Sequence, residues 1–392
     1  MKKSLLFAVM AVVTLAASAR VYSVDESKTP RKMEAVTTTE VNVNNIKKAP
    51  AAPANVATGA YLSAMYTDGY DSQQAGESLW EVHTVWQASV EEAERGYAVT
   101  GFMGDQPVNA TYADGVLSIA PGQVSYISEY YGNCAVFLLE NATQFNRTKN
   151  LEFEINENGV FVLRNGFGAV LLVLEVEYAN SAMDICKGGA LVPANGTSID
   201  SICGANCQPY AAMPCDTLNT NVEFTYDERG NIDGGVLTGI LGFGFVDFAI
   251  DGNNVKLDCA PIYYLGGTFM TGCVTKAYNN DGAFDVIKGE GPDGTIDLEK
   301  GEMILGMWGV GFEYSTSPGK YWWFANTRMS KSLITFPPVS PSAVNDVNTD
   351  KTIKSVEYVN LNGQISSRAF EGINIVVTNY TDGTRTATKV VK

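Results

Sequence analysis

The chain carries one histidine, His83, so a Ser/His/Asp relay would have to pass through that residue alone. It lies in Trp80-Glu81-Val82-His83-Thr84-Val85-Trp86, a strand-like run in which it reads as a polar edge residue, with general-base work as the alternative. Carboxylates offer the other general route to catalysis in an acidic chain, because glycoside hydrolysis needs two of them flanking one bond. With 43 Asp and Glu residues, chance pairs abound and no spacing selects one, so no catalytic residue is assigned. Neither a Gly-x-Ser-x-Gly elbow nor a phosphate loop ending in Gly-Lys-Ser/Thr is present. Around Gly294, the first and third ligand positions of a calcium loop would fall on Gly289 and Gly291, and the twelfth on Lys300. Those residues offer no carboxylate where the ion needs one, so the segment reads as a hairpin, and no metal or cofactor is expected.

Aromatic clusters carry more information. In Tyr321-Trp322-Trp323-Phe324, a strand would turn Trp322 and Phe324 to one face and Tyr321 and Trp323 to the other. One face enters a core; the other offers a flat platform on which a sugar or another partner can stack. Tyr321, Trp322 and Trp323 are therefore the candidate ligand-binding residues. Tyr130-Tyr131 and Tyr263-Tyr264 occupy comparable places earlier in the chain.

The elements that position these residues belong to an exported protein. Lys2 and Lys3, the apolar stretch Leu5 to Ala16 and the site Ala17-Ser18-Ala19 spell a secretory leader. Removing it leaves 25 bases against 43 acids, a surface that repels nucleic-acid phosphates and anionic lipid. No later stretch has the length of apolar residues that a membrane helix needs. In an oxidising compartment, Cys186, Cys203, Cys207 and Cys215 are disulfide candidates, as are Cys259 and Cys273, with thirteen residues between them. Zinc is the weaker reading of the cluster, since Cys203 and Cys207 lack the tight knuckle spacing. The seventh cysteine, Cys134, makes the count odd.

Short apolar runs separated by Asp-Gly and Asn-Gly turns predict an all-β protein: two related β-sandwich or β-barrel units in tandem plus a small C-terminal β-sandwich. Thr100-Gly101 and Thr238-Gly239, Asp114-Gly115 and Asp251-Gly252, and Gly132-Asn133-Cys134 and Gly272-Cys273 recur in the same order. A fourth match aligns Gly159 to Leu163 with Gly294 to Leu298. Val108–Tyr112 with Val116–Ile119, and Val246–Ile250 with Val255–Leu257, read as hairpins. Ala169–Glu177 reads as a buried central strand and Ala88–Glu94 as a turn or two of helix. The resulting division is a leader (1–19), a flexible linker (20–55), a first β unit (56–180), a Cys-rich connector (181–220), a second β unit (221–336), a Pro-rich linker (337–352) and a C-terminal domain (353–392).

That last domain holds Leu361-Asn362-Gly363, the strand-like Gly372-Ile373-Asn374-Ile375-Val376-Val377, the turn Asp382-Gly383 and the ending Lys389-Val390-Val391-Lys392. The pattern resembles the C-terminal sorting domains of type IX secretion cargo in Bacteroidetes, with Asn374 where those domains usually place an aromatic. The body resembles uncharacterised duplicated β domains of the same secreted proteins. The resemblance implies an extracellular or cell-surface location and an export machinery that reads residues 353–392. A non-catalytic binding or structural protein is expected, with a glycan or a host or cell-surface protein as partner. The alternative is a secreted glycan-active hydrolase using paired carboxylates.

Overall fold

Alternating apolar and polar residues can satisfy their backbone only by laddering, and the described chain does so almost throughout. The computed structural model describes residues 29–37, 55–67, 83–202, 213–214, 217–228, 230–240, 243–264, 269–280, 283–314, 317–323, 329–339, 353–360, 365–366, 368–370, 373–380 and 385–391. The one helical element among them is a single 3-10 turn at Val176–Tyr178.

Two short strands, β1 (Arg31–Lys32) and β2 (Glu34–Val36), precede the first unit. Then β3 (Gly59–Thr67), β4 (His83–Ala93), β5 (Gly96–Thr100), β6 (Val108–Ala113) and β7 (Val116–Ile119) follow as successive antiparallel neighbours. The chain next leaves the ring through β8 (Gln123–Ser128), β9 (Gly132–Asn141) and β10 (Gln144–Asn146). It returns with β11 (Leu151–Ile155) beside β7 and β12 (Phe161–Leu163) beside β11. β13 (Gly168–Val173) pairs with β9, and the long β14 (Ser181–Pro193) pairs with β13, β12 and β3. Contact between β14 and β3 closes an eight-stranded antiparallel barrel. β14 serves two partners on one edge because its register shifts across Gly188 and Gly189, both in the left-handed region. Such a bulge re-aims a strand without ending it.

The second unit repeats this plan. β15 (Gly196–Ile202) is followed by the short β16 (Met213–Pro214), then β17 (Leu218–Tyr226), β18 (Ile232–Ile240), β19 (Phe243–Asp251) and β20 (Asn254–Leu257). β21 (Pro261–Tyr264), β22 (Phe269–Asn280) and β23 (Ala283–Val286) leave the ring, as β8 to β10 do. β24 (Asp293–Asp297) and β25 (Glu302–Leu305) rejoin it; β26 (Trp308–Tyr314) pairs with β22, and β27 (Ser317–Trp323) with β26. β28 (Met329–Thr335) pairs with β25 and β15, closing a second eight-stranded barrel.

The hairpins β6–β7 and β19–β20 are equivalent, but their turn residues are Asp114-Gly115 and Gly252-Asn253, so Gly252 stands at the place of Asp114, one residue out of the expected register. Cys134 and Cys273 lie on the equivalent strands β9 and β22. Gly101 and Gly239 take matching φ values of 81° and 88°. A second landmark also moves: Gly159 corresponds to Gly301, each left-handed in the turn before β12 or β25, whereas Gly294 lies one strand earlier.

Three expectations are corrected. Residues 181–193 are β14, so they belong to the first barrel; only Ala194 and Asn195 separate it from β15, and no connector spans 181–202. Ala88 to Ala93 lie within β4, where Ala88 and Val90 turn inward while Ser89 and Glu91 do not. Pairing with β3 and β5 outweighs the local composition. Within the expected linker 20–55, β1 and β2 pair with β14 and β10, and Met33 between them is buried beside Phe137 and Phe145.

β13 bears out the buried apolar run only as far as Val173; Leu174 to Glu177, expected in the same buried strand, leave the ladder and are exposed. Ala169, Leu171 and Val173 enter the first barrel's core with Phe102, Phe153 and Phe161, while Val170 and Leu172 pack on the other side with Phe137 and Phe145. Both faces are covered, so alternation disappears. Separately, the C-terminal segment forms an antiparallel sheet of β29 (Ile353–Asn360), β30 (Ile365–Ser366), β31 (Ile373–Tyr380) and β32 (Arg385–Val391), in the order β30-β29-β31-β32.

Gly101 and Gly252 separate backbone strain from steric conflict. Both are left-handed, but a Cβ on Gly101 would lie 2.2 Å from the Gln87 carbonyl oxygen, whereas one on Gly252 meets nothing within 4 Å. Gly252→Ala should cost about 1–2 kcal/mol in urea unfolding, the ordinary cost of left-handed alanine. Gly101→Ala should cost at least twice as much. Equal losses would show that β4 yields to the methyl.

Candidate functional site

The expected platform residues Tyr321, Trp322 and Trp323 end β27, opposite Glu313, Phe312 and Gly311 of β26. Their side chains lie outside the described residues, as does that of His83, whose backbone pairs with Tyr66. Cys203, Cys207 and Cys215 are also outside them. Cys134, Cys186, Cys259 and Cys273 are thiols, and no disulfide forms among the described residues. No group of three or more His, Cys, Asp or Glu placed to hold a metal occurs among those residues.

The structure instead brings together two loops that the sequence kept apart. The Ser128 hydroxyl, itself buried, accepts the Tyr131 N–H at 3.0 Å and the Tyr130 N–H at 3.2 Å. This fixes the β8–β9 turn and sends Tyr130 outward. Beside it, β13 ends where the Leu174 N–H donates to the Asn133 carbonyl at 2.8 Å, and the 3-10 turn follows. The Tyr131 and Tyr178 rings then meet edge to face with centroids 5.0 Å apart, tying one loop to the other. Gly132 leaves room for Glu175: a Cβ there would lie 2.9 Å from the Glu175 carboxylate.

The result is an apolar centre with an acidic rim. Ile127, Tyr130, Leu174 and Val176 are 54%, 74%, 44% and 90% exposed, four of the seven exposed large apolar side chains among the described residues. Glu129, Glu175 and Glu177 are exposed around them. Neither loop contains Lys or Arg; Lys32 donates to the Ala179 carbonyl at 2.6 Å and Arg147 to the Asn180 side chain, at the far end of the second loop. Concentrated apolar exposure of this kind marks an interaction surface, whereas scattered single residues do not.

Among the described residues, Asp200 is the carboxylate most removed from water, 1% exposed on β15 opposite Ser332 of β28. Burial raises its pKa above the ordinary range, against hydrogen bonds from Ser332 and Ser198. Ser198 donates to Oδ2 at 3.3 Å, and the Trp308 indole donates to Ser332 Oγ at 2.8 Å. Oδ1 has no hydrogen-bond partner, and no other carboxylate contributes to the shift. A lone acid closed between two strands lacks the second carboxylate that glycoside hydrolysis requires. Elsewhere, an open depression of about 440 Å³ beside β24, β25 and β28 has one lining carboxylate, Asp293, which pairs with Lys276.

Comparison with family models, curated proteins and solved structures finds no match to this chain.

The raised pKa of Asp200 has a definite sign. Between its unfolded and folded pKa values the native state binds more protons than the unfolded one, so this stabilising contribution is present in acid and falls as pH rises through the folded value. Asp200→Asn should remove that loss, and its melting-temperature advantage over the parent should grow from acid to neutral pH. An advantage that shrinks toward neutrality would show that a partner holds the ionised carboxylate.

Proposed function

We propose that this is an exported, non-catalytic binding protein that holds a basic protein surface against the apolar patch of Ile127, Tyr130, Leu174 and Val176. The supporting observation is the clustering of those exposed side chains on two mutually braced loops, rimmed by three glutamates. An exposed tyrosine supplies contact area at little entropic cost, and acids beside it select for positive partners and speed their approach. Three of the four central side chains are aliphatic and only Tyr130 is aromatic, a composition suited to a protein surface more than to sugar rings. The leader 1–19 and the sorting-like residues 353–392 would deliver this surface to the cell exterior.

A panel of basic amphipathic peptides and a glycan array, both probed with the mature protein, test the binding reading. Peptide binding should weaken as salt rises, and Tyr130→Ala combined with Val176→Ser should reduce it at least about tenfold, roughly 1.4 kcal/mol. Both side chains are exposed, so the melting temperature should hold. Glycan binding that survives the double substitution would overturn the assignment of partner and patch.

Delivery is tested separately. A chain truncated after Asp350 should accumulate in the periplasm, whereas the full chain reaches the surface or the medium. Equal surface levels would remove the sorting role of the tail.

A further inference from the structure

Cys259 follows β20, and Cys273 lies in β22. Pro261 is the ladder partner of Cys273, and the Val274 N–H donates to the Ala260 carbonyl at 3.0 Å. One step further along the same ladder Cys259 faces Thr275, with Sγ 3.8 Å from the Thr275 hydroxyl. Cys273 and Thr275 are two residues apart on a strand and therefore share a face. Cys259 is thus the diagonal cross-strand neighbour of Cys273, about 7–8 Å away between Cα atoms, so that joining the two requires the segment after β20 to shift toward β22. Cys273 is the group that most affects the Cys259 thiol. They differ in access: Cys259 is partly exposed and Cys273 is buried.

We propose that Cys259 and Cys273 form a thiol–disulfide exchange site, in which Cys259 attacks a small-molecule disulfide and Cys273 resolves the adduct. In the first step the Cys259 thiolate bonds to one sulfur of R–S–S–R and expels RS⁻. In the second, Cys273 gives its proton to solvent and attacks Cys259 Sγ, forming the protein disulfide and expelling the other RS⁻. Two electrons pass from the two cysteines to the small disulfide, which becomes two thiols. The neighbouring Cys273 is the main cause holding the Cys259 thiol at about 7; burial opposes it, the Thr275 hydroxyl and the Gly289 N–H add to it, and Asp258 opposes it. The first barrel has no counterpart, since Tyr126 lies opposite Cys134 on the equivalent strand. Cys134 and Cys186 are ladder partners of Val173 and Ala169, four residues apart along β13.

The full chain, Cys259→Ser and Cys273→Ser are each treated with glutathione disulfide, blocked with iodoacetamide and mapped by mass spectrometry. The parent should yield a Cys259–Cys273 linkage, Cys273→Ser should stop at a glutathione adduct on Cys259, and Cys259→Ser should yield neither. In the parent, alkylation of Cys259 should rise through pH of about 7. At neutral pH it should run about tenfold faster than that of an ordinary thiol. The site is overturned if Cys259 is alkylated but never linked, if the adduct forms first on Cys273, or if Cys259 links to Cys203, Cys207 or Cys215 instead.

Discussion

Each barrel depends on the ladder between its last strand and its first. Six cross-strand residue pairs join β14 to β3, from Cys186 with Thr67 to Pro193 with Tyr61, and six join β28 to β15, from Thr335 with Thr197 to Met329 with Ile202. Without closure, the outer strands of an eight-stranded meander would expose two rows of unpaired backbone groups to water and to other chains. With it, Leu117, Phe153 and Phe161 in the first unit and Leu237, Trp308 and Ile334 in the second are sealed from solvent. The antiparallel pairing of distant segments makes these ladders costly in loop entropy and slow to form.

Closure also joins the units. Because β14 ends one ring and β15 begins the next after two residues, polar side chains finish the ladders at the join. The Gln87 amide accepts the Asn219 N–H at 2.8 Å and donates to the Asn219 carbonyl at 3.1 Å, as a strand would. Asn195 repeats the device on Val222, with bonds of 2.9 and 2.8 Å. Paired donor and acceptor bonds satisfy backbone groups that would otherwise be stranded between two closed rings. The two loops of the apolar patch stand on the side sheet of β8, β9 and β13, whose last strand is buried on both faces. A surface so supported is held in one shape, which would lower the entropic cost of the proposed binding.

Local chemistry made much of this legible. Ala113-Asp114-Gly115 is a hairpin turn because Asp114 and Gly115 both take φ above zero, and their counterparts around Gly252 announce the repeat. What escaped the sequence was decided by partners far along the chain. Gly188 and Gly189 look like loop composition, yet they are the bulge at which β14 changes neighbours. Glu91, Glu92 and Glu94 look helical until β3 and β5 claim the backbone beside them. Glu175-Val176-Glu177 reads as the end of a buried strand, yet the ladder stops at Val173 and Val176 is 90% exposed in the turn that Tyr178 ties to Tyr131. The Tyr130-Tyr131 doublet ahead of a turn glycine was the one local sign of that surface.

Amide hydrogen exchange resolved to residues 181–202 tests the central claim, that β14 and β15 are the closing strands of two successive barrels. The account predicts that amides of Leu191, Val192, Ser198 and Ile199 exchange only by global unfolding, as slowly as those of Leu62 and Ile334 to which their ladders run. Rapid exchange across 181–202, with β4 to β7 still protected, would contradict it and return the segment to a linker between two open sheets.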